Sequence, residues 1–107
     1  MKIFLVSAPS ESAGIENSAE SRAMKEQYPL GIAYLASILE KENHNTKLFN
    51  FFHNPMDSIK DEFFKSISLE QPDIICFSIL SMNRVSTFKL TKLIKEKYPS
   101  IKIIVGG

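Results

Sequence analysis

Short segments rich in strand-forming residues alternate with stretches of helical periodicity, and this alternation is the feature that most restricts the fold. The four strand-like segments are residues 2–6, 46–51, 73–79 and 101–105. Short, largely apolar runs of this kind are typical of strands covered on both faces of a sheet. Strands that alternate with helices predict a parallel sheet with right-handed crossovers.

Three helices are predicted between these strands, because apolar residues recur three and four positions apart. They span about 28–42, 57–71 and 85–98. Pro29 is tolerated in the first turn of its helix, since the N–H that it lacks has no partner there. We therefore expect an α/β fold, a flavodoxin-like or Rossmann-like three-layer open parallel sheet of order 2-1-3-4, within one domain spanning 1–107.

Ligands of open α/β sheets bind beyond the carboxyl ends of the strands, at the point where the strand order reverses. The longest connection, residues 7–27, lies beside that expected point, and residues 19–25 within it could form a short helix. Connections of this length inside a small domain are often functional. The predicted edge is lined by Ser, Asn, Met and Gly, without a cluster of acids or bases.

Composition and missing motifs exclude several classes of function. A net charge of +1, from 13 basic and 12 acidic residues, offers no electrostatic reason to bind nucleic acid or an anionic membrane. The sequence has neither a phosphate-binding G-x-x-x-x-G-K-[ST] nor a G-x-G-x-x-G after the first strand. One cysteine, Cys76, rules out an internal disulfide, and without an apolar run of about 18 residues or a signal peptide we expect a cytoplasmic protein.

Three stretches of the chain resemble the cobalamin (vitamin B12)-binding domains that are fused to radical-SAM enzymes. Residues 28–47 resemble the first helix and second strand of those domains, 72–82 the third strand, and 90–107 the helix and strand that follow. The resemblance leaves out residues 7–27. It implies a cobalamin-binding fold that is incomplete at the C-terminus, truncated after the Gly-Gly motif.

The family pattern reads D-x-H-x-x-G, then S-x-L, then G-G. The resemblance implies these cofactor-binding residues: Tyr28, Gly31, Ser78, Leu80, Gly106 and Gly107. Ser78 and Leu80 match S-x-L, and the closing glycine pair matches G-G. Tyr28 stands where the cobalt-ligating histidine would be, a departure that is common among radical-SAM-linked members. No residue of this chain is expected to ligate a metal.

Base-off cobalamin, in the resembled family, inserts its nucleotide tail between the sheet and a flanking loop. Ser78 would leave room for the tail and could donate a hydrogen bond to it, while the glycines allow close backbone approach because they lack a Cβ. Each feature also has a simpler structural interpretation, such as an ordinary strand end or turn. A solvated side chain is simpler than a metal ligand for His53. Asn83 and Arg84 lie in the loop after the third strand, where Arg84 could contact a phosphate or propionamide, but a solvated side chain is again the simpler interpretation.

The resemblance implies a cobalamin-binding module of a methyltransferase or rearrangement-type radical-SAM enzyme, with no catalysis by this chain alone. The 4Fe-4S cluster and S-adenosylmethionine would belong to a C-x-x-x-C-x-x-C barrel that this chain lacks. The alternative is a cofactor-free flavodoxin-like protein-interaction module.

Helix one would leave apolar surface uncovered over strands three and four, so we expect a homo-oligomer.

Overall fold

The structure, a computed structural model, describes residues 1–11 and 30–106. Its elements are β1 (Lys2–Ser7), α1 (Leu30–Lys41), β2 (Asn45–Asn50), α2 (Met56–Glu70), β3 (Ile74–Ser78), a short 3-10 helix (Ser81–Asn83), α3 (Arg84–Lys97) and β4 (Lys102–Gly106). All the predicted strands and helices are present, with ends that differ by a few residues. The short helix suggested for 19–25 lies outside the described residues.

The four strands form one parallel sheet of order β2-β1-β3-β4, which confirms the predicted order. Its register brings the last residues of the strands to one level. Ser7 pairs with Asn50 on one side and with Ser78 on the other, and Ser78 pairs with Gly106. The carboxyl ends of all four strands therefore share one edge, with the reversal of strand order between β1 and β3.

One face of the sheet packs against α2 and α3 and holds the larger core. Phe4 and Phe77 from the sheet, Phe63 from α2 and Leu90 from α3 are all buried there. Phe63 makes edge-on ring contacts with neighbouring phenylalanines at centroid distances of 5.3 Å. Burying one such side chain contributes about 1.5–3 kcal/mol. This face supplies most of the apolar burial.

The opposite face is covered only in part by the described residues. Helix α1 packs Ile32 against Ile3 and Leu5 of β1, whereas Ile104 of β4 is 53% exposed and Ile38 of α1 is 42% exposed. The sequence prediction of uncovered apolar surface over β3 and β4 therefore agrees with the described part of the chain. No described helix is both long enough and apolar enough to cross a membrane.

Candidate functional site

A groove of about 310 Å³ lies on the α1 face of the sheet, over the carboxyl-terminal parts of β3 and β4. It is lined by Leu5, Ile32, Leu35, Cys76, Phe77, Ser78, Ile104 and Gly106. Most of these residues are apolar, and none is a carboxylate, a histidine or a cation. Such a lining suits the burial of a largely apolar group held by a few polar contacts. The lining contains no pair of side chains that could act as a general acid and a general base.

Ser78 and Gly106 lie side by side at the rim of this groove. They are register partners, and the Ile79 N–H donates to the Gly106 carbonyl at 2.8 Å. Alternate residues of a strand face the same side, so Ser78 shares the face of Cys76, and Gly106 shares that of Ile104. The sequence analysis therefore correctly placed at one edge of the sheet two residues that are 28 positions apart in the chain.

Gly106 has open space before it. A Cβ built at this position would meet no heavy atom of the described residues within 4 Å, and its φ lies outside the left-handed region. Neither packing within the described residues nor backbone strain therefore requires glycine here. The space that the missing side chain leaves is part of the groove, where a ligand could approach the backbone of β4.

The other predicted site residues either do not line the groove or lie outside the described residues. Leu80 follows β3 by two residues, is 53% exposed and is not part of the groove lining. Gly31 lies in the first turn of α1, next to the groove residue Ile32. Tyr28 and Gly107 lie outside the described residues. The cofactor-binding roles of these four residues, and those of Ser78 and Gly106, stay predictions.

Asn83 received no role in the sequence analysis, and the expectation that its side chain is solvated is wrong. Its side chain is completely buried. Nδ2 donates to the carbonyls of Ala8 and Ser78, both at 3.3 Å, and Oδ1 accepts from the Leu80 N–H at 2.7 Å. The available signal was a small amide residue just beyond a strand at the switch point, where its side chain can satisfy backbone groups.

Cys76 is the groove residue whose ionisation is perturbed. Burial raises the pKa of its thiol above the ordinary value of 9.0, because a thiolate would lose hydration there. The thiol therefore stays protonated at neutral pH and behaves as a small apolar group. Among the residues that the structure describes, no group of three or more His, Cys, Asp or Glu side chains is placed to hold a metal ion.

His53 and Arg84 lie away from the groove lining. The His53 ring is partly buried and packs edge-on against Phe52 at 5.3 Å. Arg84 is exposed at the first position of α3. The exposed Arg84 agrees with the expected solvated side chain, whereas the His53 ring is less exposed than the solvated loop histidine that was expected.

The parallel sheet, its switch point and the adjoining groove define an open α/β domain of the ligand-binding class. Residues 22–107 match the family described as the B12 binding domain. The chain belongs to this family, because the match covers most of its length.

Over all 107 residues the chain is 29% identical to an uncharacterized methyltransferase of Pyrococcus horikoshii, and it spans 22% of that relative's length. No solved structure matches the chain.

Proposed function

We propose that this chain is the cobalamin-binding module of a B12-dependent radical-SAM enzyme and performs no catalysis alone. The observation that supports it most is the apolar groove whose rim is formed by Ser78 and Gly106 at the switch edge. The groove fits a cobalamin nucleotide tail in character, since its lining is mainly apolar and its rim offers a hydroxyl and an open backbone.

The chain's own residues would bind and orient the cofactor. Ser78 would exchange a hydrogen bond with the tail, and Gly106 would let the tail approach β4. Leu5, Ile32 and Ile104 would shield it from water. Burial of about 100 Å² of apolar ligand surface contributes about 2.5 kcal/mol. Bound cobalamin would supply a cobalt centre able to carry a methyl group or to assist a radical rearrangement.

Methyl transfer is the more favoured reaction type of the parent enzyme. The support is the similarity to a protein named a methyltransferase, of which this chain spans 22%. The 4Fe-4S cluster, S-adenosylmethionine and a radical-SAM domain in cis are parts of the proposal that rest on the resemblance of the three sequence stretches. They would lie outside this chain.

A spectrum tests cofactor binding directly. Hydroxocobalamin is mixed with the protein, unbound cofactor is removed by desalting, and the visible spectrum of the protein fraction is recorded. We expect corrin absorbance to travel with the protein, with a shifted band. Protein that emerges colourless would contradict the proposal and favour the cofactor-free interaction module.

Two serine variants locate the bound cofactor. Ser78→Leu places a branched side chain in the groove, and Ser81→Leu places the same side chain in the exposed turn beyond β3. We expect Ser78→Leu to lose the retained absorbance and Ser81→Leu to keep it. Equal retention by the two variants would place the cofactor elsewhere.

Self-association is a separate part of the proposal. Leu35, Ile38 and Ile104 are each more than 40% exposed, on α1 and β4 of the partly covered face. Apolar groups exposed together favour association. We expect light scattering at micromolar concentration to give the mass of a dimer or larger species, and a monomer mass would contradict this.

A further inference from the structure

We infer that Asn83 is a positioning residue for the cobalamin groove, because its buried amide ties the carboxyl ends of β1 and β3 together behind the rim. The inference deepens the proposed function and rests on it. Asn83 does not line the groove, so it would act through the backbone of Ser78.

The Asn83 amide bonds both strands just where their pairing stops. Ser7 and Ser78 are the last register partners of β1 and β3. Nδ2 of Asn83 donates to the Ser78 carbonyl and to the carbonyl of Ala8, one residue past β1. One side chain therefore extends the connection between the two strands across the point where the strand order reverses.

Further hydrogen bonds close the turn after β3 and join it to the segment after β1. Oδ1 of Asn83 accepts from the Leu80 N–H, and the Asn83 N–H donates to the Leu80 carbonyl at 3.2 Å, which closes the turn. The Glu11 N–H donates to the Met82 carbonyl of the same turn at 2.7 Å. The segments on both sides of the switch point are thus held by one network centred on a buried amide.

This network bears on the groove through the peptide after Ser78. Asn83 holds the Ser78 carbonyl from the α3 side, while Ser78 lines the groove on the α1 side. The N–H of the same peptide group, that of Ile79, donates to the Gly106 carbonyl across the rim. Removing the amide would leave two carbonyls without this donor and loosen the spacing of Ser78 and Gly106.

Asn83→Leu removes the amide at similar side-chain size, and Thr87→Val is its matched control. Thr87 is also completely buried, and its hydroxyl in the first turn of α3 donates at 2.7 Å to the carbonyl of Asn83, the residue that precedes the helix. The control therefore deletes a neighbouring buried hydrogen bond without touching either strand end. Asn83→Ser, which keeps a smaller donor and acceptor, takes the place of Asn83→Leu if that variant does not fold.

The first measurement is amide hydrogen exchange of the protein without cofactor. The informative probes are the N–H groups of Ile79 and Glu11, since neither bonds Asn83 itself. We expect both to exchange faster, relative to the slowest core amides, in Asn83→Leu and to be unchanged in Thr87→Val. Asn83→Ser should be intermediate. Equal exchange in the leucine variant and the control would overturn the inference.

The second measurement is the dissociation constant for hydroxocobalamin. We expect Asn83→Leu to weaken binding about tenfold, with Thr87→Val close to the unmodified protein. Equal affinities of the two variants would also overturn the positioning role. If the unmodified protein retains no cobalamin, the proposed function fails, and the exchange measurement alone decides whether Asn83 holds the rim.

Discussion

Replacing Gly106 by leucine should separate cofactor binding from folding. A Cβ at this position would meet no heavy atom of the described residues within 4 Å, and the backbone is not left-handed. Glycine inside a strand or helix is less favourable than alanine by roughly 0.5–1 kcal/mol. We therefore expect the free energy of unfolding of Gly106→Leu to be unchanged or higher by up to about 1 kcal/mol.

The same leucine should weaken cobalamin binding, because Gly106 lines the groove. The side chain adds four heavy atoms, and at roughly 30 Å³ each, the volume share of a water molecule, they occupy roughly 120 Å³. The groove measures about 310 Å³, so more than a third of it would be filled. We expect the dissociation constant to rise at least about tenfold, or 1.4 kcal/mol.

Urea unfolding and a hydroxocobalamin titration measure the two effects on the same samples. Gly106→Ala, which adds one carbon, should lie between the unmodified protein and Gly106→Leu. Lys102→Leu is the matched control, since Lys102 is exposed at the opposite end of β4 and is not part of the groove. A Gly106→Leu protein that folds and binds cobalamin with unchanged affinity would refute the placement of the tail in this groove.

Three further outcomes follow from the structure. Phe63→Ala should lower the free energy of unfolding by about 3–5 kcal/mol, because the ring is completely buried; a loss below about 1 kcal/mol in urea unfolding would contradict this packing. Hydrogen bonds from Lys47, and then from Lys2, hold the pKa of Glu70 below its ordinary value of 4.5. The two ion pairs therefore stabilise the fold above that pH, and this stabilisation is lost as the pH falls through the lowered pKa. The melting temperature of the unmodified protein should therefore exceed that of Glu70→Gln by a small, salt-sensitive margin at pH 7 and converge with it as the pH falls below the lowered pKa, and a constant margin would argue against the ion pairs. Because burial raises the pKa of the Cys76 thiol, Cys76 should react slowly with a thiol reagent at pH 8, faster as the pH approaches that raised pKa, and more slowly still at pH 8 with cobalamin bound. Labelling rates that do not change with the cofactor would count against an occupied groove.

The strand order followed from the sequence because it depends on patterns that are local. A strand that is buried on both faces, such as Lys2–Ser7, appears in the sequence as a short apolar run. A helix that covers one face, such as Met56–Glu70, shows apolar residues every three or four positions. The crossover rules for parallel strands then leave few arrangements of these elements.

The pairing of Ser78 with Gly106 followed from the same reasoning, since both end strands of one parallel sheet. The groove beside them did not, because its walls come from α1, β1, β3 and β4 together. Its shape depends on how far α1 extends over the sheet. Uncovered apolar surface over β3 and β4 was predicted from the sequence, but the volume and the lining of the groove, with Leu35 and Ile104 in its walls, are decided by the packing of these elements.

The spacing of apolar residues along the sequence by itself determined the elements, their order and the edge at which a ligand would bind. Backbone geometry imposes that spacing within a few residues. Only the tertiary structure decided that Asn83 is buried rather than solvated. Its amide bonds the carbonyl of Ala8, which is 75 positions away in the chain. No local pattern records such a contact, because the burial of a polar side chain depends on which distant carbonyls folding brings within hydrogen-bonding reach.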